Sequence, residues 1–271
     1  MKKIGIIGCG ISGLYLANIL NNNPEFDYKI FEKRNDLNLL NGYGIQLSVN
    51  CTKLLNKIGL NNLDTSELYF PSKVNFFQSN NYKKICDIDL TQFNEGLDRY
   101  TTMKRSTLLK LLLQKIPKDK IKFNTTLTNL ENDNNIKAIF SDNSSENFDF
   151  LIIADGVFSQ SKSIVFNENL KPKYNNTIAL RGKLKEFDNK DISIFMGSNF
   201  HYVIYPVNQN NEYNFVAILK KKIKEKDFKD SKIFKSENFL NSLKKILIKN
   251  SQIKIENLTE VKAFPVFVSN N

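Results

Sequence analysis

The sequence has few of the residues that usually mark disulfides, metal sites and nucleophilic catalysis. Its 271 residues include three cysteines, one histidine and no tryptophan. Cys9, Cys51 and Cys86 are too few and too widely spaced for a disulfide framework, and none of them stands in a Cys-x-x-Cys pair. A Cys/His cluster at metal-ligand spacing and a Gly-x-Ser-x-Gly elbow are also missing. These absences argue against a disulfide-stabilised domain, a Cys/His metal site and a serine hydrolase of that type.

Long apolar runs are missing as well. No stretch approaches the roughly 18 apolar residues that a membrane-spanning helix needs. The apolar run before Cys9 extends only from Ile4 to Ile7, whereas the core of a secretion signal has roughly 7–15 residues. We therefore expect a soluble, cytoplasmic protein without a transmembrane segment.

Acidic residues are outnumbered by basic ones, and the formal net charge is +11. The basic residues are spread along the chain among abundant asparagine, isoleucine and phenylalanine, a set typical of a biased A/T-rich coding sequence. The densest run, residues 220–226, is interpreted as a solvated connection. We therefore expect no nucleic-acid partner.

Hydrophobic periodicity predicts both a strand-helix-strand segment and runs of consecutive strands along the chain. A strand, a helix and a second strand are predicted at 3–7, 14–20 and 28–32. Further on, we expect a helix at 104–116 that Pro117 ends, followed by a meander of strands. The remaining predicted elements are strand-like residues at 42–47, a helix at 50–58, two short strands within 69–89, the meander strands near 121–130, 136–141 and 148–154, an antiparallel layer near 177–184, 192–196, 201–207 and 212–219, a helix near 236–248 and a last strand at 261–268.

The first strand is followed by Gly8-x-Gly10-x-x-Gly13, which opens the first helix. In a dinucleotide fingerprint, the first glycine makes the tight turn and the second lets the backbone approach a pyrophosphate. The third glycine lets the helix pack on the strand, and the helix N-terminus supplies free N–H groups and positive potential. The placement between strand and helix predicts a dinucleotide site.

Glu32 ends the second strand, 24 residues after Gly8, where a carboxylate can accept hydrogen bonds from ribose hydroxyls. A carboxylate at this position would repel a ribose 2′-phosphate, which leaves NAD or FAD for this site. Because the chain continues into a meander rather than into further βαβ units, FAD is favoured.

At this point the sequence resembles the FAD-dependent aromatic hydroxylases, the group A flavoprotein monooxygenases that include salicylate, p-hydroxybenzoate and ubiquinone-pathway hydroxylases. Residues 42–60 resemble the family segment that joins the nucleotide domain to the flavin ring region. Arg105 resembles an arginine at the start of a helix that contacts the flavin ribityl-phosphate region. Asp155-Gly156 resembles the family's Asp-Gly motif. Further landmarks of its substrate-covering sheet are Arg181-Gly182, Tyr205-Pro206 and Tyr213-Asn214-Phe215-Val216.

The resemblance implies an α/β fold in which a glutathione-reductase-type, Rossmann-like FAD-binding domain is interleaved with an antiparallel β-sheet substrate domain. The FAD-binding domain is expected at residues 1–70 and 100–168, and the substrate domain at 71–99 and 169–271. The cofactor-binding residues predicted from the loop and from the resemblance are Gly8, Gly10, Ile11, Ser12, Gly13, Glu32, Lys33, Arg105, Asp155 and Gly156. No catalytic residue is assigned, and His201 and Arg181 are two candidates: His201 could accept a phenolic proton, and Arg181 could bind a substrate carboxylate. No metal is expected.

The family chemistry implied for this chain is that NAD(P)H reduces FAD, that the reduced flavin traps O2 as a C4a-hydroperoxide, and that an electron-rich aromatic or quinone-precursor molecule is hydroxylated. The sequence leaves open the substrate, whether a small aromatic acid, a prenylated phenol or a heteroaromatic compound. The choice between NADH and NADPH stays open, as does the oligomeric state, for which a homodimer is one option.

The sequence departs from the family pattern in two ways. Lys162 stands where the family closes the Asp-Gly motif with an arginine, so a point charge replaces a group that can bind bidentately. The third family signature, a Gly-Asp strand end with a following Gly-x-Gly loop, would come after residues 261–268 and is not in the sequence. We expect either a piece of a longer protein or a degenerate copy.

Other functions compete with this interpretation. The first glycine motif suits an amine oxidase equally well, but Arg105 and Asp155-Gly156 argue against it. A flavin-dependent tryptophan halogenase is disfavoured because its tryptophan-containing signature is missing. A non-catalytic FAD-binding remnant is the remaining alternative, and FAD binding without NAD(P)H oxidation would support it.

Overall fold

The computed structural model describes residues 1–37, 39, 43–132, 135–184, 187–224, 233–250 and 258–268. The chain divides into two compact units, the first from residues 1–41, 108–173 and 267–271 and the second from residues 42–107 and 174–266. Residues 42–70 and 100–107 therefore belong to the second unit, whereas the sequence analysis groups them with the predicted FAD-binding domain. Gly42, the first residue of the segment 42–60, and residues 225 and 226 of the basic run lie outside the described residues.

Seventeen strands are present in the described part of the chain. They are β1 (Lys2–Ile7), β2 (Phe26–Phe31), β3 (Gly44–Leu47), β4 (Leu68–Tyr69), β5 (Lys73–Gln78), β6 (Lys84–Asp89), β7 (Thr101–Lys104), β8 (Ile121–Lys122), β9 (Leu127–Asn132), β10 (Ile136–Phe140), β11 (Ser145–Phe148), β12 (Phe150–Ile153), β13 (Lys173–Leu184), β14 (Ile192–Met196), β15 (Phe200–Pro206), β16 (Tyr213–Lys220) and β17 (Leu258–Val268).

Five α-helices occur between them in the same described ranges. They are α1 (Ile11–Asn21), α2 (Val49–Asn56), α3 (Arg105–Leu113), α4 (Ser161–Phe166) and α5 (Glu237–Asn250). Short 3-10 helices lie at Leu60–Asn62, Thr65–Glu67, Thr91–Phe93, Lys118–Lys120 and Ile233–Lys235. None of the helices in the ranges given above has the length and apolarity needed to cross a bilayer.

The first unit is built on a parallel sheet with the strand order β12-β1-β2-β8. Its central strand β1 is buried from Ile4 to Ile7, as expected for a parallel strand that is covered on both faces. A second sheet, β11-β10-β9, is antiparallel. The Phe31 ring of β2 stacks on Phe140 of β10, with 4.1 Å between ring centroids, and so joins the two sheets through the core.

The predicted meander is only partly correct. Residues 127–148 form antiparallel strands, but Phe150–Ile153 pairs in parallel with β1, where Ile4 lies opposite Phe150. Ile121–Lys122 likewise joins the parallel sheet, next to β2. A short apolar run has the same sequence pattern in a hairpin and in a buried parallel strand. The pairing of β12 and β8 is therefore decided by the free edges of β1 and β2 in the fold.

Helix α1 and the C-terminal part of α3 are connected by a buried polar side chain. The amide of Asn18 donates hydrogen bonds to the carbonyl oxygens of Leu14, at 2.8 Å, and Leu112, at 2.6 Å. Four leucines of α3 are buried, and each contributes about 1.5–3 kcal/mol of apolar burial; they are Leu108, Leu109, Leu111 and Leu112. This packing holds α1, and with it the glycine loop, in a fixed place within the first unit.

The second unit contains a seven-stranded sheet with the order β17-β13-β16-β15-β14-β5-β6, and a small sheet β3-β7-β4. The pairs from β13 to β14 are antiparallel, as predicted, whereas β14 pairs with β5 in parallel. One face of the large sheet is a buried aromatic layer in which Phe195 stacks on Tyr202 at 4.6 Å. Leu243 and Leu247 of α5 pack against this layer. The other face carries the two candidate catalytic residues.

Candidate functional site

Gly8 and Gly13 are required by the backbone of the glycine loop. Gly8 has φ of 106°, and a Cβ atom there would lie 2.5 Å from the carbonyl oxygen of Ala154. A Cβ atom at Gly13 would lie only 2.1 Å from the carbonyl oxygen of Gly8. These two glycines therefore serve the turn and the close packing of α1 on the loop, as the sequence analysis predicts.

Gly10 differs from the other two glycines because the protein itself does not need it. It is the N-cap of α1, with φ of −84° and ψ of −174°, which any residue can adopt. A Cβ atom at Gly10 would have nothing within 4 Å. The open space lies at a helix N-terminus without a side-chain cap, where the N–H groups of the first turn favour an anion.

Glu32 lies just after β2 and is 4% exposed. Its Oε2 accepts a hydrogen bond of 2.9 Å from the backbone N–H of Cys9, and its Oε1 accepts from the N–H of Arg34 at 3.0 Å and from the Arg34 guanidinium at 3.1 Å. Burial acts to raise the pKa of Glu32, but these hydrogen bonds outweigh it and hold the pKa below its ordinary value. The carboxylate is therefore ionised and fixed in orientation.

Asp155 follows β12 and lines the same cavity as Gly8 and Gly10. Its Oδ2 accepts a hydrogen bond of 3.3 Å from the N–H of Ser161, while its Oδ1 is buried without a partner in the described structure. Such an oxygen calls for a donor. Gly156 has φ of 82°, and a Cβ atom there would meet nothing within 4 Å.

The cavity has a volume of about 190 Å³. Among the predicted cofactor-binding residues, Gly8, Gly10, Glu32, Lys33, Asp155 and Gly156 line it, whereas Ile11, Ser12 and Gly13 form the first turn of α1 beside it. Several further lining residues were not predicted from the sequence, namely Arg34, Thr125, Thr126, Leu127, Gln160 and Ser161. Their positions in the sequence could have identified them, because they follow the ends of β2, β8 and β12, and ligands bind open parallel sheets beyond these strand ends.

Cys9 lies inside the glycine loop and is 1% exposed. Burial and then the nearby Glu32 carboxylate raise the pKa of the Cys9 thiol to about 12. The thiol is thus protonated and unreactive, and Cys9 serves as a small core side chain. In the stretches of chain that the structure describes, no group of three or more His, Cys, Asp or Glu side chains could hold a metal ion.

Arg105 and the segment 42–60 belong to the second unit. Arg105 begins α3, and its backbone N–H donates to the carbonyl oxygen of Tyr43 at 2.9 Å. A Cβ atom at Gly44 would lie 2.6 Å from Cβ of Asn214, whose Oδ1 accepts a hydrogen bond of 2.7 Å from the Gly44 N–H. Gly44 thus serves a close approach within the unit, and the contact of Arg105 with a flavin stays a prediction.

Arg181 and His201 lie on the same face of the seven-stranded sheet. Arg181 lies opposite Val216, and this row continues across β15 and β14 through Val203 and Ile194. Residues opposite each other share a face, and His201 lies two positions from Val203 on the same strand. Strand spacing and rise place the backbones of Arg181 and His201 about 12 Å apart. Partial burial lowers the pKa of His201.

A hydrogen-bonded chain of polar side chains adjoins these residues. Tyr205, 4% exposed, is hydrogen-bonded to the Gln46 side chain, whose Oε1 accepts a hydrogen bond of 2.9 Å from the Tyr100 hydroxyl. Burial raises the pKa of Tyr205, although the nearby Arg181 acts to lower it. The Tyr205 hydroxyl is therefore neutral. From the sequence, Tyr205 is only a landmark of the family's substrate-covering sheet, because the residues that it contacts come from distant strands.

Comparison with known proteins identifies relatives by sequence. No protein-family model matches the chain. It is 30% identical over 169 residues to an FAD-dependent monooxygenase of Apiospora sacchari, an alignment that covers 59% of this chain and 34% of the relative. It is 25% identical over 185 residues to the 6-hydroxynicotinate 3-monooxygenase of Pseudomonas fluorescens, covering 66% and 46% respectively. The matched regions thus span less than half of either relative's own length.

The fold is also that of solved hydroxylase structures. The 2,6-dihydroxypyridine-3-hydroxylase of Arthrobacter nicotinovorans superimposes with a TM-score of 0.78 at 14% sequence identity, covering 98% of this chain and 72% of that one. At this identity the likeness concerns the fold alone, and it agrees with the mixed α/β architecture predicted from the motifs. The resemblance is therefore confirmed: the chain is a relative of FAD-dependent monooxygenases and has the fold of the aromatic hydroxylases.

Proposed function

We propose that the chain binds FAD at the glycine loop and acts as an NAD(P)H-consuming monooxygenase that hydroxylates an aromatic or quinone-precursor small molecule. The observation that carries the proposal is the open space at Gly10, at the N-terminus of α1, in a cavity that is also lined by Asp155, whose buried Oδ1 has no partner in the described structure. A helix N-terminus favours phosphate, and a buried carboxylate oxygen calls for a hydroxyl donor.

The residues present fit the adenosine and pyrophosphate parts of FAD. The pyrophosphate would occupy the space beside Gly10 and accept hydrogen bonds from the first turn of α1. Glu32 Oε2 accepts one hydrogen bond from the protein and, as a carboxylate oxygen, can accept another from a ribose hydroxyl. Glu32 would also disfavour a ribose 2′-phosphate here. We assign FAD binding to the first unit, with a further contact from Arg105, and substrate binding to the second unit.

When FAD is bound and reduced by NAD(P)H, it supplies the oxygen chemistry, in which one atom of O2 is transferred to an electron-rich ring. The protein's own residues bind and orient the two molecules. The sheet face that carries Arg181 and His201 is the surface on which we place the aromatic substrate. The relatives support this reaction class, since one is named an FAD-dependent monooxygenase and another acts by name on 6-hydroxynicotinate.

A cytoplasmic location is part of the proposal. It is supported by the need for NAD(P)H and by the free state of the three cysteines, Cys9, Cys51 and Cys86. A homodimer stays one option for the oligomeric state.

The proposal is tested with the purified chain loaded with FAD, offered NADH or NADPH and a panel of phenols, hydroxybenzoates and hydroxypyridines. The measurements are NAD(P)H oxidation, O2 consumption and product mass under isotopically labelled O2. We expect at least one aromatic compound to stimulate NAD(P)H oxidation and to gain one oxygen atom. FAD binding without NAD(P)H oxidation would contradict the monooxygenase activity and support a non-catalytic FAD-binding protein. O2 consumption that needs no NAD(P)H would favour an amine oxidase.

A further inference from the structure

The two ends of the seven-stranded sheet in the second unit differ in charge. One end, here called the lysine end, contains six lysines and no acidic residue, whereas the opposite, acidic end contains six acidic residues and one lysine. The strand ends and turns that form them are 78–84, 196–201 and 220–224 at the lysine end and 89–98, 187–191 and 207–212 at the acidic end. Basic residues that are spread along the sequence are thus separated from acidic ones within this sheet.

Backbone contacts hold the lysine end together. The carbonyl oxygen of Met196 accepts a hydrogen bond of 3.0 Å from the N–H of Ser79, and the N–H of Lys220 donates to the carbonyl oxygen of Asn199 at 2.9 Å. Just beyond β16, Ile223 packs against the core of the second unit. The basic run, interpreted from the sequence as a solvated connection, is therefore attached to this sheet end where it leaves β16.

Most charges of the lysine end are not neutralised by the protein. Lys84 forms an ion pair with Asp87. Lys83 and the four lysines within 220–224 form no ion pair among the residues that the structure describes, and most of them are exposed. Residues 225–232, which lie outside the described ranges, contain three acidic and three basic residues and therefore add no net charge. Five positive charges at one end of the sheet thus favour an anionic partner.

Two apolar side chains are exposed among these lysines. Met196, at the end of β14, is 45% exposed. Tyr82, in the turn between β5 and β6, is 37% exposed, and its ring packs on Phe195 with 4.9 Å between the centroids. Lysines beside exposed apolar and tyrosine side chains suit the interface of a membrane, where the charges meet anionic headgroups and the apolar groups reach the acyl boundary.

We propose that the lysine end is a docking surface for a bilayer of anionic lipids. Each lysine close to such a bilayer raises the affinity about fivefold. The acidic end is repelled, so the sheet meets the bilayer in one orientation. Lipid is favoured over nucleic acid because the charged residues of this end are lysines, whereas arginine is the residue that hydrogen-bonds phosphates and bases in pairs. The inference does not rest on the proposed function, because neither FAD nor a substrate takes part in it.

Co-sedimentation with lipid vesicles tests the role of the lysines. The vesicles consist of phosphatidylcholine alone or of an equal mixture of phosphatidylcholine and phosphatidylglycerol. We expect binding to the mixed vesicles only, and weaker binding as the salt concentration rises. Two triple variants that each remove three positive charges are compared: Lys220→Gln with Lys222→Gln and Lys224→Gln, and, as the control, Lys53→Gln with Lys57→Gln and Lys115→Gln. The first should lower the partition coefficient at least about tenfold, and the control at most about twofold.

A tryptophan placed at the surface tests the orientation. The chain has no tryptophan, so Met196→Trp introduces a single indole at the lysine end. Its fluorescence emission should shift to shorter wavelength when the mixed vesicles are added, because the indole enters the interface. Leu97→Trp is the control, since Leu97 is 70% exposed at the acidic end, and its emission should not shift.

Several results would overturn the inference. Absence of binding to the mixed vesicles, or equal binding to phosphatidylcholine alone, would do so. An equal loss of binding in the two triple variants would assign the effect to net charge rather than to the lysine end. A shift in Leu97→Trp without one in Met196→Trp would contradict the orientation. Binding of a DNA duplex under conditions in which the mixed vesicles are not bound would make nucleic acid the partner of this surface.

Discussion

The charged residue beside the glycine loop of the first unit is fully hydrogen-bonded by the protein, whereas the arginine on the open sheet face of the second unit is not. In the first unit, Glu32 is buried and both of its oxygens are occupied by N–H donors of the protein. In the second unit, Arg181 is partly buried and none of its donors is used within the described chain. Glu32 therefore has a role in the fold besides the role in ligand binding that we propose for it. Arg181 lies over the ring of Tyr43 but forms no hydrogen bond or ion pair within the described residues, so its role is sought in a ligand.

The three loop glycines also differ in whether the fold itself requires them. Gly8 and Gly13 would clash with backbone atoms if they carried a side chain, whereas Gly10 would not. A group that the fold requires should cost stability when it is changed, and a group that only a ligand requires should cost affinity alone. This distinction can be tested residue by residue.

Gly13→Ala is expected to give the largest effect. Alanine is favoured over glycine inside a helix by about 1 kcal/mol. Its Cβ atom would lie 2.1 Å from a backbone oxygen, and overpacking of this kind costs about 1–3 kcal/mol or more. Because the contact is with backbone, we place the cost at the upper end of that range, and the helix preference for alanine leaves a net loss of about 2 kcal/mol or more in the free energy of unfolding, measured by urea denaturation. A variant as stable as the wild type would contradict the close packing described for Gly13.

Glu32→Gln is expected to cost about 1–3 kcal/mol of stability, because an amide nitrogen would face a buried N–H donor and leave it unsatisfied. The folded-state pKa of Glu32 lies below its ordinary value of 4.5, so its stabilisation is present above that value and is lost as the pH falls through the lower folded pKa. Unfolding free energies measured against pH should show this loss for the wild type and not for Glu32→Gln.

The matched control for this variant is Glu131→Gln in the same unit. Glu131 pairs with Lys137 at the surface, and both side chains are over two-fifths exposed. Exposed pairs of this kind contribute about 0–1 kcal/mol. If the two variants lost the same stability, the structural role assigned to Glu32 would be wrong.

Gly10→Ala should leave the fold nearly intact and weaken FAD binding. The backbone angles suit alanine and no atom lies within 4 Å of the new methyl group, so the expected stability loss is at most about 1 kcal/mol, from the N-cap preference. The methyl group would occupy the space assigned to the pyrophosphate. We expect the dissociation constant for FAD, measured by fluorescence quenching, to rise at least tenfold, or about 1.4 kcal/mol. Unchanged FAD affinity would remove Gly10 from the site.

His201→Gln is expected to give the smallest effect. Burial lowers the folded-state pKa of His201 below its ordinary value of 6.5, so the unfolded chain binds a proton more readily in that range. The wild type should therefore lose a small amount of stability, under about 1 kcal/mol, as the pH falls below 6.5, and the variant should not. Identical pH profiles would contradict the buried setting. Coupled hydroxylation that is unchanged in His201→Ala between about pH 6 and 9 would exclude a catalytic role.

The sequence predicted the strand-loop-helix of the first unit because its signals are local. The glycines and Glu32 lie within about thirty residues, and their spacing carries the geometry. The pairing of Phe150–Ile153 with β1 could not be predicted in this way, because an apolar run of four residues does not specify its partner strand. The absence of an ion pair at Arg181 within the described residues could not be predicted either. It depends on which of many carboxylates, distant in the sequence, come near Arg181 in the fold.

The most direct test of the account is the visible absorption spectrum of the purified chain after FAD has been added and the unbound excess removed. The account predicts that the folded chain retains the two-band flavin spectrum, because Gly10, Glu32 and Asp155 line the cavity to which we assign the dinucleotide. A folded but colourless chain would contradict the assignment of this cavity to FAD.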